Sequence, residues 1–174
     1  MPDAPGASVD QPLPDVIGPG LAVLVCGINP GASSAASGHS FMRRSNRFRR
    51  VMHLAGFTPL QLAPQEDQSL LDYGCGLTAA VGRPTRRAGE LSREELPQAV
   101  APPQLKVLHY APRTLAFLGK AAYGAVASRR EIAWGLQLEA SPTPASGCCP
   151  IPAASIAASA STPWRGLCGV AQTR

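Results

Sequence analysis

No CxxC pair, no GxGxxG string and no glycine loop ending in Lys followed by Ser or Thr occurs in this chain. Its five cysteines, Cys26, Cys75, Cys148, Cys149 and Cys168, form an odd set whose adjacent pair could bridge only with strain. Neither a zinc site nor a disulfide framework is indicated, and a reducing compartment fits best. Without GxGxxG a dinucleotide cofactor has no fingerprint. In GINPG the last glycine, Gly31, is followed by Ala32 and Ser33 rather than by a phosphate-binding lysine, which disfavours nucleotide triphosphate hydrolysis. His39, His53 and His109 show no metal-ligand spacing. Nothing in the chain calls for a metal or an organic cofactor. The opening twenty residues hold five prolines and no apolar core segment, so they read as neither a secretion signal nor a membrane span. Residues 1–20 are expected as a flexible tail.

What is present suits one globular domain over residues 21–174: 174 residues in all, 45% of them hydrophobic, with a mean hydropathy near zero. Sixteen Lys+Arg against eleven Asp+Glu give a formal charge of +5, a balance that attracts polyanions.

LAVLV, Leu21 to Val25, is a short β-rich apolar run of the kind buried on both faces of a parallel sheet. In SNRFRRVMHLAGF, Ser45 is expected to cap a helix that buries Phe48, Val51, Met52 and Ala55 and ends at Gly56, leaving the arginines at its start and outer side. Thr58-Pro59 and Ala63-Pro64 read as two further helix starts, the second helix running to Gly74. GLTAAVG is a second apolar segment, and Ser92 to Glu95 fits a capping box before another helix. TLAFL followed by Gly119 and Lys120 reads as strand, tight turn and helix. This alternation predicts an α/β fold with a mostly parallel sheet and a ligand site beyond the carboxyl ends of its strands. From Ser141 onward the composition shifts to Ala, Ser and Pro and no period survives, so residues 141–174 are atypical.

GINPG leaves such a strand end. Its small residues let backbone amides approach a flat ligand closely, while Asn29 is held at the strand end by Pro30. Taken alone, the same Asn-Pro pair also suits a turn in which Asn29 bonds its own backbone. Arg43, Arg44, Arg47, Arg49 and Arg50 follow directly, in the densest charge cluster of the chain. Beside a base-binding loop they read as phosphate contacts; elsewhere such a run is a solvated helix face.

GINPG, SSAASGHSF, SNRF, LAGFT, LLDYGCGLT, RPT, ELS and AFLGKAAY stand in the order and spacing of one family. From Leu21 to about Gly135 the chain resembles the mismatch-specific uracil-DNA glycosylases, the thymine-DNA glycosylase branch of the uracil glycosylase superfamily. That resemblance implies a three-layer α/β/α sandwich around a short parallel sheet. It also implies hydrolytic removal of uracil, and possibly thymine or modified pyrimidines, from G·U and G·T mismatches in double-stranded DNA, leaving an abasic site. Asn29 would position the attacking water. Loop groups at Ile28, Gly31 and Ser34 would hold the pyrimidine, with Phe41 stacked on it. Ser33, Arg43, Arg44, Arg47 and Lys120 would meet the DNA backbone. Asp72 is a second-rank catalytic candidate, since it reads better as a helix-end or turn carboxylate bonded to nearby amides. No cofactor or membrane partner is implied, and a cytoplasmic monomer, nucleoid-associated in a bacterium, is expected.

At the carboxyl end the family has a Pro-Asn-Pro segment and an SGLSR-type wedge that fills the hole left by the flipped nucleotide. Here the stretch is CCPIPAASIAAS, with Ala154 and Ser155 at wedge positions. A shortened wedge, a wedge moved to Ile156 and a coding-frame change are three open explanations. With the wedge altered, a non-catalytic binder of mismatches or abasic sites is the alternative function.

Overall fold

The computed structural model describes residues 12–92, 95 and 101–127. LAVLVCG forms β1 (Val23–Gly27), two residues further along than the apolar run suggests. β2 (Cys75–Ala79) and β3 (Thr114–Phe117) pair with it in parallel, in the order β2-β1-β3. β1 is thus the central strand, which is why it is apolar at every position rather than at alternate ones. Leu24 and Cys26, both 0% exposed, pack with Phe117, with Val107 of α3 (Ala101–Tyr110) and with Ala122 and Tyr123 of α4 (Lys120–Ala127). Val25 faces the opposite layer, where Leu77 meets Phe48 and Met52 of α2 (Phe48–Leu54) and Leu70 of the 3-10 helix Pro64–Tyr73. A further short helix, α1 (Ala32–Ser37), follows β1 directly. The result is the expected α/β/α layering. Each buried Leu, Val or Phe contributes roughly 1.5–3 kcal/mol to it.

Several local expectations hold at atomic detail. Ser92 N–H donates to Glu95 Oε2 (2.7 Å) and Glu95 N–H donates to Ser92 Oγ (3.2 Å), the reciprocal exchange of a capping box. Gly119, at φ +101°, makes the tight turn between β3 and α4 that only glycine adopts without strain.

Others are corrected. Ser45 does not cap α2; Asn46 Oδ1 accepts the Phe48 N–H (2.9 Å), so the helix starts later than expected. Thr58-Pro59 starts no helix, because the Thr58 hydroxyl donates to Leu60 O (2.8 Å) and closes a bend instead. The expected tail does not extend through residues 12–20. Val16 is 3% exposed and exchanges both backbone hydrogen bonds with Leu77 (3.0 and 2.7 Å), adding an antiparallel bridge beside β2. Gly76 makes this strap possible: a Cβ there would lie 2.6 Å from Leu21 Cδ1 and 2.8 Å from Val16 O. No helix among the described residues is long and apolar enough to cross a membrane.

Candidate active site

A cleft of about 200 Å³ opens at the carboxyl ends of β1 and β2. Its walls are the GINPG turn, the loop from Ser40 to Arg43, Thr78 and Ala79 at the end of β2, and the strap residues Leu13 to Asp15. That volume falls below the roughly 300–1,000 Å³ of sites for drug-sized ligands, which suits a single nucleobase.

The floor is built by backbone pairing that continues past the strands. Ala80 and Val81 N–H donate to Gly27 O and Ile28 O (2.9 and 2.8 Å), Thr85 N–H to Pro30 O (3.1 Å), and Ala32 N–H to Thr85 O (2.9 Å). GINPG is thereby stitched to the segment carrying RPT. Asn29 does not bond its own turn. Its Nδ2 donates to Arg83 O (2.9 Å) and to Thr85 Oγ1 (2.8 Å), while the residue lines the cleft.

Phe41 lines the cleft and also packs on Phe48, with ring centroids 4.4 Å apart. Its backbone is left-handed, φ +56°, a conformation an aromatic residue holds only when its surroundings impose it. The preceding residue, Ser40, is held by the buried Arg49–Asp67 ion pair. Arg49 Nη2 donates to Ser40 O (2.9 Å) and Pro64 O (3.2 Å), and Asp67 Oδ2 accepts the Ser40 N–H (2.7 Å). Their side chains are 7% and 6% exposed, so Arg49 does not stand on the outer face of α2 with the rest of the basic run. It clamps the loop that presents Phe41.

Gly31 and Ser34, expected at the pyrimidine, line the cleft, and so does Ser33, expected at the DNA backbone; buried Ser34 Oγ accepts the Met42 N–H (3.4 Å). Ile28 does not: its side chain packs on the core beneath β1 and its carbonyl is taken by Val81. Asp72 is exposed in the last turn of the 3-10 helix and forms no part of the cleft. Arg43 stands at the cleft wall and donates to Arg86 O (3.4 Å); Arg44 and Arg47 are exposed nearby in sequence. Lys120 begins α4 and is exposed, away from the cleft wall. Ala154 and Ser155 lie outside the described residues.

Two site residues escaped sequence reasoning. Asp15 falls within the expected tail, yet among the described residues it is the acidic residue that lines the cleft. Its carboxylate accepts from Thr78 Oγ1 (2.9 Å) and pairs with Lys106 Nζ (2.6 Å), which also donates to Thr78 Oγ1 (2.9 Å). Thr85 stood inside a recognised string, RPT, but had no role there. The segment that carries it is anchored at one end by Arg83, whose guanidinium reaches Glu95 (2.5 and 2.9 Å) and Glu90 O (3.2 Å). That contact raises the Arg83 pKa, and the Arg83 hydrogen bond, followed by the Ser92 N–H, lowers Glu95 to about 2. Among the described residues no cluster of His, Cys, Asp and Glu could hold a metal ion.

A base-sized cleft at a β1 carboxyl end, walled by a carboxamide and an aromatic ring, thus sits on a three-layer parallel scaffold. A family model, the uracil DNA glycosylase superfamily, matches residues 14–157, from the strap through every described element, and the chain belongs to that superfamily.

Proposed function

We propose that this glycosylase is monofunctional and mismatch-specific, removing uracil, and more slowly thymine, opposite guanine in duplex DNA. The observation that carries the reading is Asn29. Both N–H bonds of its amide are spent on the Arg83–Thr85 segment, which leaves its oxygen as the acceptor for a water at the cleft.

A base within a duplex is out of reach, so the nucleotide must rotate out, most cheaply where pairing is already weak. The cleft then receives the pyrimidine edge-on against the GINPG turn with Phe41 on its face. A carboxamide orients water without accepting its proton, so the bond to the base breaks first. Charge on the departing pyrimidine is stabilised by loop N–H groups, and the oxocarbenium-like sugar is captured by the Asn29-held water, whose released proton neutralises the pyrimidine anion. Slow turnover and a preference for good leaving groups follow. Strand cleavage by a lysine Schiff base is not part of the scheme.

The test is duplex DNA carrying U opposite G, T opposite G or U opposite A, incubated with enzyme and then treated with alkali to cut abasic products. Cleavage in the order U·G over T·G is expected, with Asn29→Ala slower by about 100-fold or more. Binding to the mismatches without any abasic product from wild type would reject catalysis and leave a non-catalytic binder.

A further inference from the structure

A carboxamide has two ends of nearly the same shape, so which end faces a substrate is set by its partners. At Asn29 those partners are both acceptors. Arg83 O can only accept. Thr85 Oγ1 could do either, but its one hydrogen is committed to Arg87 O (2.9 Å), so it presents a lone pair to Asn29 Nδ2 at 2.8 Å. Thr85 is 5% exposed, which leaves water little access to take over its contact with Asn29. Arg87 O is itself fixed, since it also accepts the Glu90 N–H (3.0 Å).

From this geometry we propose that Thr85 is a positioning residue: its hydroxyl dictates the facing of the Asn29 carboxamide and thereby the site of the attacking water. The inference rests on the glycosylase reading above and deepens it. The backbone of Thr85 is held independently, through Pro30 O and Ala32 N–H, so removing the hydroxyl leaves the stitched floor of the cleft in place. With only Arg83 O remaining as a fixed acceptor, the amide gains rotational freedom and the reacting geometry loosens.

The experiment compares wild type with Thr85→Val, Thr85→Ser, Thr85→Ala, Asn29→Ala and the Asn29→Ala/Thr85→Val double variant. Single-turnover cleavage of a U·G duplex at enzyme excess is measured with binding to an abasic duplex by fluorescence anisotropy. Thr85→Val is expected to slow the cleavage step by roughly 10- to 100-fold, the scale on which a misplaced reacting group costs rate. Affinity should be unchanged, Thr85→Ser should restore the rate to within about threefold, and the double variant should be no slower than Asn29→Ala. Thr85→Ala, which drops the bulk as well, repeats the test should the valine variant fold poorly.

A readout independent of turnover is the hydrogen exchange of the Asn29 side-chain amide in ¹⁵N-labelled protein, assigned by its loss in Asn29→Ala. It should be slow in wild type and fast in Thr85→Val. A Thr85→Val rate equal to wild type, a loss that multiplies with Asn29→Ala, or amide exchange unchanged by Thr85→Val would each overturn the proposal. A wild-type enzyme that cuts nothing while the exchange pattern holds would instead strike the function and spare the orientation of the amide.

Discussion

Asn29 and Asp72 make opposite demands on mutagenesis. Asp72 is exposed and outside the cleft, so Asp72→Asn should change U·G cleavage by less than about twofold, whereas Asn29→Ala should nearly abolish it. Replacing Asn29 by Asp supplies a true base, yet one carboxylate oxygen would then face Arg83 O, now 2.9 Å from Nδ2, with no proton between them. Asn29→Asp is therefore expected to cleave more slowly than wild type at neutral pH; a faster rate would show that the segment yields. Asp67 offers a test of the Phe41 clamp. Asp67→Asn leaves the Arg49 guanidinium buried without its charge partner, while Arg49 Nε and Nη1 already lack hydrogen-bond partners. A loss of about 3 kcal/mol in urea unfolding is expected, and fluorescence of a pyrimidine analogue should report weaker stacking.

At the scale of elements, β1, β3 and α4 were legible because burial on both faces of β1 and the glycine after β3 leave signatures within a few residues, whereas β2 showed only as an apolar segment. The 3-10 helix was legible in extent though not in type, since Pro64 and Gly74 mark its ends while packing decides its pitch. The strap was not legible. Asp15 and Val16 sit among prolines, and what holds them is a bridge from Val16 to Leu77, 61 residues away in the chain, over a glycine whose missing side chain says nothing locally. The role of Thr85 was hidden for the same reason, its partner lying across the loop-to-loop stitch. Gly76→Ala should destabilise the protein by about 1–3 kcal/mol, seen as a lowered Tm, because the Val16 carbonyl, 2.8 Å away, stands in the way as well as the tip of Leu21. The Arg83–Glu95 link makes a prediction in pH. Glu95 has a folded pKa below its unfolded one, so its stabilising effect is complete above about pH 4.5 and lost as pH falls toward about 2. Thermal melts of wild type and Glu95→Gln should differ at pH 6 and converge near pH 2.

Over the whole molecule, the +5 charge is unevenly used. Arg49 is spent internally and Arg83 is paired, while Arg43, Arg44, Arg50, Arg86 and Arg87 remain exposed, with Arg43 against Arg86 O at the cleft wall. DNA affinity should thus fall steeply with salt. Substituting Arg43 and Arg44 together by Gln should lower the slope of log K against log salt by about 2, roughly 0.9 per lost phosphate contact. Arg49→Gln should instead alter unfolding more than the slope.

The strap also bears on where the chain can be shortened. A form beginning at Leu21 would keep all three strands and both acceptors of the Asn29 amide, and by alignment to the β1 motif alone it would look intact. It would nonetheless lack one wall of the cleft, strip Lys106 of its carboxylate and uncover Leu77 on the flank of β2. The residues that look most dispensable on paper are, in three dimensions, part of the binding chamber.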